Sequence, residues 1–273
     1  MTFYETLTAA IKDLTEHGFD SQARVDGWQR RLRRSALEAM ISPRRLEKML
    51  TDAMVGIYKR LVDQKGVLKF HPGVSAFTID RLKPKLRREL DRAITANANL
   101  IKLNREKAIQ ETEQRFAGWA TSVPAGGSKA QDKPEVQKTL KKALKSLPYE
   151  ERRVLIDQGH KLTAAINRIV ALDGGAIAAI WHSHWRARGY NYREDHKERD
   201  ERVYLIRGSW AHEKGLVKPG EAGYTDQITQ PGEEVFCRCA YQYVYALKDL
   251  PDDMITQKGR DELERVKKLM ETL

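Results

Sequence analysis

A chain of 273 residues and 31.3 kDa holds one large or two modest domains, with 41% hydrophobic residues to build a core and 32% charged residues to cover it. It contains no apolar run near the ~18 residues of a membrane span, and Met1-Thr2-Phe3-Tyr4-Glu5 lacks the basic-then-apolar order of a leader, so no membrane partner and a cytosolic place of synthesis are expected. Two cysteines separated by a single residue exclude a disulfide framework, and the net charge of +11 points to polyanionic partners.

The charge excess lies entirely in residues 1–150, where 29 Lys and Arg face 18 Asp and Glu, whereas residues 151–273 hold 20 of each. Residues 1–120 are expected to form a basic helical region. Its candidate nucleic-acid or partner contacts are Arg30, Arg31, Arg33 and Arg34, then Lys83, Lys85, Arg87 and Arg88, followed further on by Lys141 and Lys142. Each cluster reads either as a solvated helix face or as a phosphate-facing one, and the asymmetry between the halves favours the latter.

Leu46, Met49, Leu50, Ala53, Met54, Ile57 and Leu61 recur at three- and four-residue steps, after a Ser42-Pro43 start suited to a helix N-terminus. A turn-like segment from Gly66 to Ser75, with His71-Pro72-Gly73, leads to a long helix from about Asp80 to Trp119. Ile94, Leu100, Ile101 and Ile109 are its sparse apolar positions, so it is expected to project from a core or to pack on a partner. Residues 121–134, with Val123-Pro124-Ala125-Gly126-Gly127-Ser128, have the composition of a linker or hinge. Helices are expected from Pro134 to Leu147 and from Tyr149 to Leu172, and Asp173-Gly174-Gly175 stops the pattern.

From Ala176 the chain changes to short apolar and aromatic runs, Ile177 to Trp185, Arg202 to Ile206 and Val235 to Tyr245, which read as strands. Leu263, Val266, Met270 and Leu273 mark an amphipathic helix within the closing segment 246–273. The expected fold class is therefore α+β: long helices in the first two thirds, a small mixed α/β domain with short strands toward the C-terminus, and a terminal helix. Trp28, Trp119, Trp181, Trp185 and Trp210 read as core or interface anchors.

The chemistry-bearing residues gather between positions 180 and 240: Ile180-Trp181-His182-Ser183-His184, Arg193-Glu194-Asp195-His196, Leu205-Ile206-Arg207-Gly208, Pro231-Gly232 and Cys237-Arg238-Cys239. In this order they resemble the C-terminal domain of the Mu F-like phage head morphogenesis proteins, the minor head proteins of tailed bacteriophages. The resemblance covers roughly residues 150–245, within a domain set at 135–245, and is carried by Trp181, Arg193, His196, Gly208, Cys237 and Cys239. The family usually has Asn where this chain has Phe236, and Lys197 to Val203 looks inserted. The resemblance implies a structural minor head protein in the virion, associated with the portal or major capsid protein and present in multiple copies. Such a protein would be made in the host bacterial cytoplasm, with its basic helices against packaged double-stranded DNA.

His182 and His184 are two residues apart, as are Cys237 and Cys239, so on strands each pair would share a face and together could offer a structural zinc site, with His196 as a substitute ligand. The spacing is not that of a zinc finger, and the alternative makes the cysteines small buried hydrophobes and the histidines braces. Arg193, Asp195 and His196 read in the same two ways, as an acid-base or phosphate-handling site with Asp195 or Glu194 orienting His196, or as a buried hydrogen-bonded brace of Arg193 and His196 between strands. The brace is preferred because no nucleophile, phosphate loop or paired-carboxylate signature accompanies them. Arg199-Asp200-Glu201-Arg202 reads as a surface ion-pair run. The alternative function is a metal-dependent nuclease with His182, His184 and His196 around a divalent ion. The lack of carboxylates close to the histidine pair counts against it.

Overall fold

The computed structural model describes residues 1–122 and 133–271. The chain is α+β, with helices α1 (Phe3–His17), α2 (Gln22–Ala39), α3 (Pro43–Tyr58), α4 (Ala76–Ser122) and α5 (Lys133–Asp173) preceding the first strand. Then follow β1 (Ala178–His182), α6 (Glu194–Glu198), β2 (Val203–Leu205), α7 (Trp210–Glu213), β3 (Ala240–Val244) and α8 (Gln257–Glu271). Two compact units form, Met1–Thr51 with Ala96–Leu155 and Asp52–Thr95 with Ile156–Leu273, so each is assembled from two stretches of chain. Most of the linker expected at 121–134 lies outside the described residues, as does Leu273; Thr121 and Ser122 close α4, and Pro134 sits in the first turn of α5.

In the first unit, α1 starts at a capping box in which Thr2 accepts from the Glu5 amide and Glu5 reaches back to the Thr2 amide. Phe3, Leu7, Ile11 and Leu14 then face inward at helical spacing and pack with Val25 and Leu32 of α2, Ile109 and Phe116 of α4, and Leu140 of α5.

Helix α4 does not project as its sparse large apolar residues suggested. It buries Ile101, Ala108, Ile109, Phe116 and Ala120 in the first unit and Ile79, Leu82, Leu86, Leu90 and Ala93 in the second. The stripe is made mainly by Leu82, Leu86, Leu90 and Phe116, which the expectation left out, while Leu100, one of the four positions it named, is exposed. A second difference is Pro148, expected to separate two helices and instead inside α5. Leu147 and Val154 are both buried, seven residues apart on one face, and this burial on both sides of the proline offsets its cost of about 3 kcal/mol.

The second unit holds a three-stranded antiparallel sheet in the order β2-β1-β3, with Ala178 opposite Leu205 and Val244, and His182 opposite Ala240. Strand alternation gives it two unlike faces. Ala178, Leu205 and Val244 pack on Leu216, Val217 and Met254. The opposite face carries Ala179, Trp181, Tyr204, Tyr241 and Tyr243.

Beside it, buried His71 accepts from the Tyr245 hydroxyl at Nδ1 (2.5 Å) and donates from Nε2 to Asn167 Oδ1 (2.9 Å), while the Asn167 amide is oriented by Thr163 O. Burial lowers the pKa of His71 below its ordinary 6.5, against the opposing hydrogen bond to Asn167.

Candidate functional site

The aromatic face of the sheet ends in a polar, sulfur-containing nucleus. Trp181 is fully buried, with His196 edge-on at 5.2 Å, Tyr241 edge-on at 5.5 Å and the Arg199 guanidinium 5.1 Å from its ring centre. Cys237 and Cys239 pack on the same ring. Both sulfurs face His196 Nδ1, at 3.7 Å from Cys237 and 3.5 Å from Cys239. Trp181 Nε1 and Tyr241 Oη are buried beside them with no hydrogen-bond partner among the described residues.

The cysteines do not lie on a strand. They precede β3 in a loop whose Phe236 takes a left-handed backbone conformation at φ 60°, unusual for a residue with a large side chain. Four contacts hold that loop. The Phe236 amide donates to Asp157 Oδ1 of α5 (2.6 Å), and Asp157 is paired with Lys161 at 3.3 Å. The Tyr190 hydroxyl donates to Phe236 O and accepts from the Arg238 amide, each at 3.2 Å. The Cys237 amide closes a turn onto Glu234 O at 3.2 Å. Gly232 stands at φ 83°, and a Cβ there would lie 3.2 Å from Ala164 Cβ and 3.5 Å from Lys161 Cα, so the Pro231-Gly232 step needs its glycine for backbone shape and for close approach to α5. Gly208, at φ 73° in the turn before α7, serves backbone shape alone.

His196, on the short helix α6, is fixed from its other nitrogen. Nε2 lies 3.4 Å from Glu234 Oε1, and Glu234 in turn is held by Arg193 Nε at 2.6 Å and by the Thr229 hydroxyl at 3.1 Å. Arg193 also donates to Val235 O at 3.0 Å. Arg193 and His196 do not brace two strands as expected: both stand at α6, Arg193 is partly exposed, and they meet only through Glu234 of the loop before β3, the member that sequence reasoning missed.

The five expected ligands do not come together. His196, Cys237 and Cys239 do, with their ligand atoms all within 4.8 Å of one another. His182 does not, because alternation along β1 turns it to the face opposite Trp181, where Nε2 meets Gln242 Oε1 at 3.1 Å. His184 lies past the strand end, exposed, with its ring edge-on to Tyr190 at 6.3 Å; its backbone amide, not its imidazole, reaches Cys239.

Asp200, in the expected surface ion-pair run, does meet Arg186 at 4.0 Å, but it also accepts from the Ser183 amide (2.7 Å) and the Trp185 indole (2.8 Å) and so shapes the turn after β1. Burial raises its carboxyl pKa, and these two donors together with nearby positive charge, Arg186 foremost, outweigh that, leaving it below the ordinary value.

The basic candidates separate into paired and unpaired. Arg33 joins Glu106 at 2.6 Å and Glu113 at 3.1 Å, Arg31 covers Trp28, and Lys141 covers Tyr4. Lys83 holds Asp80, Lys85 holds Asp173, and Arg87 holds Asp91. Arg30, Arg34, Arg88 and Lys142 are exposed and have no ion-pair partner among the described residues. No helix among the described residues is long and apolar enough to cross a membrane.

No protein-family profile, curated protein or solved structure matches this chain.

Proposed function

We propose that this protein is a structural minor head component of a tailed bacteriophage. In this reading it is made in the host bacterial cytoplasm and incorporated into the virion head in multiple copies on the portal or major capsid protein, with its basic helices touching packaged double-stranded DNA. One observation carries the reading. Of the six residues behind the resemblance, Trp181, His196, Cys237 and Cys239 pack into a single nucleus, Arg193 holds from a partly exposed position the Glu234 carboxylate that meets His196, and Gly208 occupies a left-handed turn position suited to glycine. Residues scattered over sixty positions and gathered in this way behave as one fold signature. Exposed Arg30, Arg34 and Lys142 supply unpaired charge for phosphate or for an acidic protein face.

The nuclease reading has less behind it. Asp195 and Glu234 stand near His196, but Arg199 and Arg193 already hold them, each at 2.6 Å, and these arginines would repel a hard divalent ion. Co-purification of the tagged protein with portal and major capsid proteins from the same source, together with mass spectrometry of purified virions, tests the assignment. Retention of one head protein and presence in the particle are expected. Absence from virions with neither protein retained would sink it.

A further inference from the structure

We propose that His196 Nδ1, Cys237 Sγ and Cys239 Sγ bind a zinc ion, with an oxygen donor completing a four-coordinate shell. This site stands whether or not the head assignment holds. Its first support is distance. Around tetrahedral zinc, bonds of about 2.3 Å to sulfur and 2.0–2.1 Å to nitrogen place the S and N atoms about 3.5 Å apart. The two sulfurs lie 3.7 and 3.5 Å from Nδ1, so the ion enters with shifts of a few tenths of an ångström. Ser183 Oγ, 3.9 Å from Cys239 Sγ, is positioned either to be the fourth donor or to hold a water there.

The second support is the outer shell. A ligating histidine usually donates its other N–H to a carboxylate, which fixes the tautomer and raises ligand basicity. Glu234 does this for His196 and is itself fixed by Arg193 and Thr229. The sulfurs are served as well: backbone amides of Gly232 and Cys239 donate to Cys237, and that of His184 donates to Cys239.

Other uses of the trio fit less well. A cysteine beside a histidine held by a carboxylate is also the arrangement of a nucleophile, but Cys237 is 1% exposed and Cys239 6%, out of reach of a substrate. Cysteines acting only as apolar filler need neither an imidazole lone pair nor amide donors at sulfur. Thiolates select zinc over magnesium or calcium.

The test uses the full chain, purified without chelator, loaded with Zn²⁺ and desalted. About one zinc per chain is expected. Cys237→Ser and Cys239→Ser should abolish it, whereas His182→Ala and His184→Ala should retain it. Glu234→Gln keeps all three ligands and tests the site even if the cysteine variants do not fold: its zinc Kd, read by competition with a chromophoric chelator, should rise about 10–100-fold with the stoichiometry preserved. Cobalt loading should give a thiolate charge-transfer band and the strong visible bands of four-coordination. Less than about half an equivalent in the loaded wild type would overturn the proposal, because structural zinc sites bind tightly at neutral pH. So would zinc that survives loss of both cysteines, zinc lost with His182 or His184, or an unchanged Kd in Glu234→Gln.

Discussion

Phe116 and Trp181 are both fully buried aromatic residues, one in a helical unit and one under a sheet, and they are held in opposite ways. Phe116 lies in an apolar cluster of aliphatic and aromatic side chains and alanines from four helices, with Trp119 tilted against it at 6.0 Å and no hydrogen bond fixing its ring. Trp181 sits among an imidazole, two thiols, a phenol and a guanidinium, and of these the imidazole, the thiols and the guanidinium are themselves held by further polar groups, whereas the Tyr241 hydroxyl has no hydrogen-bond partner among the described residues. The first arrangement tolerates exchange of one apolar residue for another of similar volume. The second depends on the polar partners that orient His196 and the two cysteines. Function is expected to concentrate in the second kind of core.

The largest effect tests the first kind. Phe116→Ala should cost about 3–5 kcal/mol, because the cavity is lined by helices that cannot all collapse into it, whereas Phe116→Leu should recover most of that. Urea unfolding followed by circular dichroism measures both. A Phe116→Ala cost below about 1 kcal/mol would remove the distinction between the two cores.

Next comes a pair of glycines. Gly232→Ala and Gly208→Ala both place a Cβ on left-handed backbone, at about 1–2 kcal/mol each. Only the alanine at 232 also meets a neighbour at 3.2 Å, while nothing stands within 4 Å at 208. The Gly232 variant should therefore be the less stable, and its altered backbone shape should disturb the cysteines. Equal losses would mean that the close approach to α5 contributes nothing.

A smaller and pH-dependent effect belongs to His71. Its pKa is depressed in the folded chain, so the unfolded chain takes up a proton more readily; the stability that neutral His71 contributes is present above the ordinary value of 6.5 and is lost as pH falls below it. Denaturant midpoints should drop between about pH 7 and pH 5, and His71→Gln should flatten that part of the profile. A midpoint that rises on acidification in the wild type and not in the variant would reverse the assignment.

The two kinds of core also differ in how far the sequence discloses them. The step of α3 and its Ser42-Pro43 start, the stop at Asp173-Gly174-Gly175 and the three strand-bearing segments are all visible as local patterns, because each element buries a face with its own period. The Thr2 and Glu5 capping box was legible too, and would have set the start of α1. Pro148 misleads because its cost is local while the burial that overrides it is tertiary.

In the site, Trp181, Arg193, His196 and the cysteines were marked by residue type and order. Glu234, Asp157, Tyr190 and Ser183 were not, since an ordinary carboxylate or hydroxyl gains meaning only from the neighbour it meets. The direction of His182 depended on strand register, where a shift of one residue reverses every side chain. Phe236 carried a signal of its own: the resemblance expects Asn there, and Asn enters the left-handed region far more readily than Phe does.

The smallest effect on stability should come from the charges that no core requires. Arg30, Arg34 and Lys142 are exposed and unpaired among the described residues, so changing all three to Ala should move stability by less than about 0.5 kcal/mol per site. Arg33 offers the contrast, because its removal strands Glu106 and Glu113. If the three free cations face packaged DNA, they act through counterion release, and the logarithm of affinity falls with the logarithm of salt at a slope of about −0.9 per phosphate neutralised. The triple variant should bind duplex DNA with a slope shallower by about 0.9 for each phosphate it no longer neutralises, with no dependence on sequence. Arg33→Ala should lose stability instead and leave that slope nearly unchanged. A triple variant with the wild-type slope would place the DNA-binding face elsewhere, or assign these residues to an acidic protein face. Fluorescence anisotropy across a salt series measures the slope, and capture of a head protein then separates the two, since both leave duplex affinity intact and only the second weakens that capture.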